Sequence, residues 1–274
     1  MRAGSKTAPR FVLWPARAAP QADEAVQRRM ASQSPSADGV ARARDAAACA
    51  GPSRCVPRSS GLDSEAARRG MVDKLRQTGL FDQRVLQALQ DVPRHHFVEP
   101  ALAAQAYLDN ALPIGFEQTI SKPSVVARGL DAALKALAPR PNLGKVLDIG
   151  TGCGYAAAVA ARLAVEVYSV ERIRALHELA RSNLRALRIP NLRLIFGDGM
   201  LGCAAGAPYD VILSAAAAPG VPQAWLDQLA VGGVLIAPIG QPQQLSLYRK
   251  RAGTKFDVQL LEGAKFVPLK SGLT

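Results

Sequence analysis

Val146-Leu147-Asp148-Ile149-Gly150-Thr151-Gly152-Cys153-Gly154-Tyr155 decides how this chain is read. Lys145 to Ile149 is a short apolar run broken by one acid, the pattern of a strand buried on both faces of a parallel sheet. Three glycines follow at alternate positions, and Ala156 to Ala164 is almost entirely small and apolar, which predicts a helix packed close to that sheet. Strand, glycine loop and close-packed helix together open a nucleotide-binding α/β fold. The spacing is G-x-G-x-G rather than G-x-G-x-x-G, and no Lys-Ser/Thr pair follows it, so neither a dinucleotide fingerprint nor a P-loop is present. Asp148, at the end of the strand, suits a cationic ligand better than a pyrophosphate.

Working outward, strand and helix patterns alternate from Lys145 onward. The expected strands are Lys145–Ile149, Glu166–Val170, Leu192–Phe196, Asp210–Leu213 and Gly233–Pro238. The clearest helix is Arg172 to Leu187, with Ile173, Leu176, Leu179, Leu184 and Leu187 on one side. Such alternation predicts an α/β fold with a doubly wound, mostly parallel sheet. Gln244–Arg249 and Phe256–Leu261 flank Ala252-Gly253-Thr254, which predicts an antiparallel hairpin at one sheet edge.

Upstream, helices are expected over Asp63–Leu80, capped by Ser64 and ended by Thr78-Gly79, then over Asp82–Gln90 and Pro100–Leu108. Val92 to Val98 reads as a surface turn carrying Arg94, His95 and His96, and Ala111 to Gly115 as a short extended segment. Gln118-Thr119-Ile120-Ser121-Lys122-Pro123 leads into a helix over Ser124–Leu137. Ser121, two residues before a proline, has the position of an N-cap. Asp109 is placed to fix the loop before Leu112.

Net charge is +12 over 274 residues, and half of that excess lies in residues 1–60. That stretch is rich in Ala, Arg, Ser and Pro and poor in large apolar residues, so it is expected to be a disordered basic extension. Residues 61–274 are expected to form the folded domain, with 61–140 as an N-terminal helical segment and 141–274 as the ligand-binding α/β core. The extension has the bias of a transit peptide, but a solvated tail or a misassigned start explains it as well. No aromatics are interleaved for base stacking, so no specific nucleic-acid partner is expected. No stretch reaches the roughly 20 apolar residues of a membrane span. Cys49, Cys55, Cys153 and Cys203 form no C-x-x-C pair, and there are only three histidines. No metal site is expected, and the thiols suit a reducing cytoplasm.

Asp148, Glu171 and Asp198 each end or follow a predicted parallel strand, where open α/β sheets bind ligands. Glu171 is placed to accept ribose hydroxyls, Asp198 an adenine amino group and Asp148 an ammonium. Ribose, adenine and ammonium together describe S-adenosylmethionine. With these acids go Gly150, Thr151, Gly152 and Gly154 of the loop and Gly199 after Asp198.

Val146–Tyr155 with Glu171 and Gly197-Asp198-Gly199 resembles the class I S-adenosylmethionine-dependent methyltransferases. Val92-Pro93-Arg94, Ala111–Gly115, Gln118–Ser121, Pro238-Ile239-Gly240 and Phe266–Leu269 are similar to the narrower protein-L-isoaspartate O-methyltransferase family, from about Asp63 to the C-terminus. Cys153 and Ser214 depart from that pattern, where Ser and Thr are usual, and the first 60 residues match nothing in the family core. The resemblance implies methylation of the free α-carboxylate of isoaspartyl residues in damaged proteins, by a cytoplasmic, monomeric enzyme. It implies Ser121 as the active-site residue, with Gln118 and Thr119 at the same substrate mouth; Phe266–Leu269 either closes over the substrate or is a plain core strand. Two other readings compete. One is a class I methyltransferase for a small molecule or RNA, against which Ser214–Pro219 lacks an Asn/Asp-Pro-Pro-aromatic loop. The other is a basic nucleic-acid-binding protein with a decayed cofactor fold, against which the set of acids and glycines is complete.

Overall fold

The computed structural model describes residues 61–79, 81–253, 255–263 and 265–274. The expectations for residues 1–60, Cys49 and Cys55 included, lie outside them. The described residues belong to one compact unit, built on a seven-stranded sheet. Its strands are β3 (Lys145–Ile149), β4 (Glu166–Glu171), β5 (Leu192–Phe196), β6 (Tyr209–Ser214), β8 (Leu229–Ile239), β9 (Gln244–Lys250) and β10 (Phe256–Gly263), in the spatial order β10-β9-β8-β6-β3-β4-β5. The first five run parallel, and β9 and β10 form the antiparallel hairpin at the edge. The chain goes from β3 outward through β4 to β5, then returns to the other side of β3 with β6. That reversal puts a crevice at the carboxyl ends of β3 and β6.

Side chains alternate across the sheet, so each central strand feeds two cores. Val146, Val167, Val211 and Val234 pack beneath helices α1 (Gly61–Gln77), α2 (Gln83–Asp91), α3 (Pro123–Leu137), α4 (Tyr155–Ala161) and α5 (Arg174–Arg185). Leu147, Ile212 and Leu235 face the other way, onto Trp225 and Leu226 of α6 (Gln223–Gln228). Gly154 opens α4 with φ at +94°, and a Cβ there would lie 2.9 Å from Leu184 Cδ1. This glycine therefore sets how closely α4 and α5 approach.

Several expectations change. Helix α1 begins at Gly61, so Ser64 lies inside it and does not cap it. Asp82 does cap α2, accepting from Arg84 N at 2.8 Å. Residues 100–105 form only a 3-10 turn. On α5 the buried residues are Leu176, Ala180 and Leu184, a strict four-residue step, whereas Leu179 falls off that line and is 36% exposed. Arg94 is not a surface residue. It is fully buried, donates to the carbonyls of Ala106 and Asn110, and stacks 4.8 Å from the ring centre of Tyr155.

The largest difference lies just before α3. Gln118–Ile120 is not a lead-in loop but strand β2, paired antiparallel with β1 (Leu112–Gly115). Phe116 and Glu117 make the two-residue turn between them, with φ of +54° and +57°. Ser121 is not the N-cap of α3, since Lys122 holds that position with no side-chain cap of its own. The helix start is held instead by Asp109, whose carboxylate accepts from Ser124 N at 2.9 Å and Ser124 Oγ at 2.8 Å.

Candidate active site

Two cavities meet at the carboxyl end of the sheet. The larger, of about 440 Å³, lies over the glycine loop. Gly150 and Gly152 form its floor, Glu171 and Gly199 one side, Ile114 to Thr119 another. Gly152 has φ at +55°, and a Cβ there would lie 3.1 Å from Ile114 Cδ1. The bare loop is thus what lets both the β1–β2 hairpin and a ligand come close to it. Glu171 is 5% exposed. Its Oε2 accepts from Gly152 N and its Oε1 from Ile173 N, each at 2.9 Å. The carboxylate thereby ties the glycine loop to the start of α5 while keeping lone pairs for hydroxyl donors.

Residues 266–274 close the far side as a strap. Within it β11 (Val267–Pro268) pairs in parallel with β7 (Ala216–Ala217), and Val267, Pro268, Leu269, Lys270 and Thr274 all line the cavity. Several contacts bolt the strap down, among them the following. Arg172 Nε donates to Gly272 O at 2.8 Å, Thr274 N donates to Arg172 O at 3.0 Å, and Gly272 N donates to Asp198 Oδ2 at 2.7 Å. Asp198 also accepts from Met200 N at 2.8 Å through its other oxygen. Asp198 does not line the cavity as expected of an adenine acceptor; its carboxylate ties the strap to the turn that follows β5.

The smaller cavity, of about 60 Å³, lies beside the first and shares Ala215 with it. Ala215 sits at the topological reversal, its N–H donating to Ile149 O at 2.9 Å. Ser121, Asp148, Ser214 and a set of apolar residues from α3, β6, β8 and β9 line this space. Asp148 was expected at the ligand's ammonium. Because side chains alternate along β3, Ile149 faces the larger cavity and Asp148 the smaller. Asp148 accepts from Ser169 Oγ at 2.6 Å, and Thr151 Oγ1 meets the same hydroxyl at 2.6 Å. Burial, and secondly the nearby charge of Glu171, push the Asp148 carboxyl up to about 7 against the pull of the Ser169 hydrogen bond. Among the described residues the Ser121 side chain has no hydrogen-bond partner, and the residue is half-buried against the smaller cavity.

Of the expected site residues, the structure brings Gln118, Thr119, Gly150, Gly152, Glu171 and Gly199 together around the larger cavity, and Ser121 and Asp148 around the smaller. Thr151, Gly154 and Asp198 line neither. Residues not singled out from sequence are Ile114, Phe116, Glu117, Arg172 and the strap beyond Leu269. Among the described residues no group of three His, Cys, Asp or Glu side chains could hold a metal, and no helix is long and apolar enough to cross a membrane.

A profile of the protein-L-isoaspartate(D-aspartate) O-methyltransferase family matches residues 66–274. The chain belongs to this family. A protein-L-isoaspartate O-methyltransferase of Ralstonia nicotianae is 53% identical over 229 residues, covering 78% of this chain and 71% of that protein. One from Burkholderia mallei is 49% identical over 254 residues, covering 89% of this chain and 78% of that protein. The second match is long enough to enter the first 60 residues, so likeness to relatives is not confined to the family core. A solved protein-L-isoaspartate O-methyltransferase superposes with a TM-score of 0.66 at 29% identity, covering 75% of this chain and 67% of that one. A Plasmodium falciparum structure, solved with S-adenosyl-L-homocysteine, has the same fold at a TM-score of 0.64 and 23% identity, covering 74% of this chain and 98% of that one.

Family membership carries the activity: this enzyme methylates isoaspartyl residues of proteins, with S-adenosylmethionine as donor. The residues present fit that cofactor. The larger cavity has a floor without Cβ atoms, a buried carboxylate beside it for hydroxyl donors, and apolar walls from Ile114, Val170, Leu176 and Leu269.

Proposed function

We propose a division of labour between the two cavities. The cofactor occupies the larger one, with Glu171 accepting its ribose hydroxyls and Gly150, Gly152 and Gly199 lying against it. The isoaspartyl α-carboxylate sits at the junction near Ala215, where Ser121 donates a hydrogen bond to it. Gln118 and Thr119 border the entrance. The single observation behind this reading is Ser121 itself, a hydroxyl without a partner among the described residues, lining the space that adjoins the larger cavity.

S-adenosylmethionine supplies a methyl on a positively charged sulfur, which leaves as a neutral thioether once a carboxylate oxygen has taken the methyl. The chain's own part is modest. An α-carboxyl with a pKa near ~3.5 is already ionised at neutral pH, so no general base is needed. Ser121 holds one oxygen and thereby aims the other. The strap and the β1–β2 hairpin exclude water from both sides. Positioning of this kind supplies about 7–11 kcal/mol of a barrier. Asp148 does not oppose the incoming anion with a full charge, since its carboxyl is pushed up to about 7.

We take the active unit to be a monomer, in which residues 61–140 supply Gln118, Thr119 and Ser121 and residues 141–274 supply the glycine loop and Glu171. We place it in the cytoplasm, where Cys153 stays a reduced, buried thiol. The test is transfer of labelled methyl to an isoaspartyl peptide and to its aspartyl twin. A base-labile label on the first alone is expected; equal labelling of both would refute carboxylate recognition at Ser121.

A further inference from the structure

Gly129 stands in the middle of α3 (Pro123–Leu137), where glycine is among the poorest residues. Nothing in the backbone asks for it, since its φ is not among the positive ones. Nor does crowding, because a Cβ at this position would meet nothing within 4 Å. What a side chain there would meet is the smaller cavity. Gly129 lines that cavity one helical turn after Val125, opposite Ile236, Leu245 and Phe266.

We propose that this cavity is a substrate subsite for the aliphatic side chain of the residue next to the isoaspartyl residue, and that Gly129 keeps it open. The inference rests on the reading that Ser121 holds the substrate carboxylate. Ser121 lines the same cavity, so a peptide whose carboxylate reaches Ser121 brings a neighbouring side chain up to it. The walls are apolar apart from Ser121, Ser214 and Asp148, so an aliphatic group gains by leaving water there. The volume, about 60 Å³, is several times the ~10–15 Å³ that one water-sized group occupies. It suits Ala, Val or Leu and is too small for an indole.

The experiment uses the full chain and synthetic isoaspartyl peptides that differ only in the residue before or after the isoaspartyl, as Gly, Ala, Val or Leu. kcat/KM is measured for the wild type, Gly129→Ala and Gly129→Leu, with thermal melts alongside. On one side of the isoaspartyl, the wild type should favour Leu over Gly by roughly tenfold or more, the discrimination typical of an apolar pocket. Gly129→Leu fills the cavity and should bring that ratio close to one. Gly129→Ala should reduce it several-fold while raising Tm by about 2–4 °C, as expected of alanine replacing glycine inside a helix. The alanine adds one methyl to open space, so it carries the test even if the leucine variant does not fold. A wild type indifferent to both neighbours, or a preference that survives both substitutions, overturns the subsite. Undiminished kcat/KM in Ser121→Ala would instead refute the Ser121 reading on which the subsite rests.

Discussion

The two cavities are neighbours, yet they treat their polar groups in opposite ways. Around the larger one, the polar groups already serve structure while keeping acceptor capacity. Both oxygens of Glu171 hold backbone N–H groups, and the glycine loop offers main chain rather than side chains. Around the smaller one, Ser121 has no partner and Asp148 accepts through one oxygen only. A cavity whose shape is set by satisfied backbone is preformed and binds with little reorganisation. A hydroxyl left open gains its hydrogen bond only when something arrives. The contrast teaches where fixed shape ends and substrate chemistry begins.

Substitutions can break this contrast from either side. Ser121→Ala should lower kcat/KM for an isoaspartyl peptide by roughly 10²–10³, the loss typical of a preorganised donor. Its Tm should barely move, because Ser121 caps nothing. A fall in stability without a fall in rate would make the residue structural. Glu171→Ala orphans Gly152 N–H and Ile173 N–H, and charge-assisted bonds are worth about 1.5–3 kcal/mol. S-adenosylmethionine affinity should drop about ten- to hundredfold in a calorimetric titration. Unchanged affinity would remove Glu171 from the cofactor site.

The smaller cavity also predicts a pH dependence. Asp148 is raised from its ordinary 3.8 to about 7, above all by burial. Between those values the folded chain keeps a proton that the unfolded chain has lost. The contribution to stability is therefore full at about pH 4 and declines as pH rises toward 7, by at most about 1.4 kcal/mol per pH unit. Asp148→Asn, which cannot titrate, should flatten this part of the Tm–pH curve in the ligand-free protein; an identical slope in the variant would show that another group is responsible. The smallest effect is expected at the strap. Arg172→Ala removes a part-exposed hydrogen bond to Gly272 O. S-adenosylhomocysteine should then dissociate about three- to tenfold faster in stopped-flow, in line with ~0.5–1.5 kcal/mol for such a bond, while Arg172→Lys should restore part of the loss. If Arg172→Ala leaves the dissociation rate as it was, the strap does not help retain the cofactor.

Legibility in the sequence follows the same divide. The core from Lys145 to Ile239 was readable because strands buried on both faces are continuous apolar runs, and because glycines after β3 mark a close approach. The acids were found, but their directions were not. Alternation along β3 puts Asp148 on the smaller cavity and Ile149 on the larger, and Asp198 accepts from a strap N–H some 74 residues away. The β1–β2 hairpin was hidden because its turn is Phe116-Glu117, two side chains that ordinarily avoid left-handed φ, where Asn-Gly would have announced it. Local spacing marks Ser121 as a cap. The actual cap, Asp109, acts across 15 residues, a tertiary contact that no local pattern encodes. Arg94 was misjudged because an unpaired arginine is seldom buried; here backbone carbonyls and the Tyr155 ring make burial tolerable.

The central claim is that cofactor and substrate carboxylate are held by different cavities. It is tested most directly by calorimetric titration of S-adenosylhomocysteine into Ser121→Ala beside the wild type. The account predicts the same Kd for both, within about the twofold expected where no contact is lost. A tenfold or greater weakening in the variant would mean that Ser121 belongs to the cofactor site, and the division would be wrong.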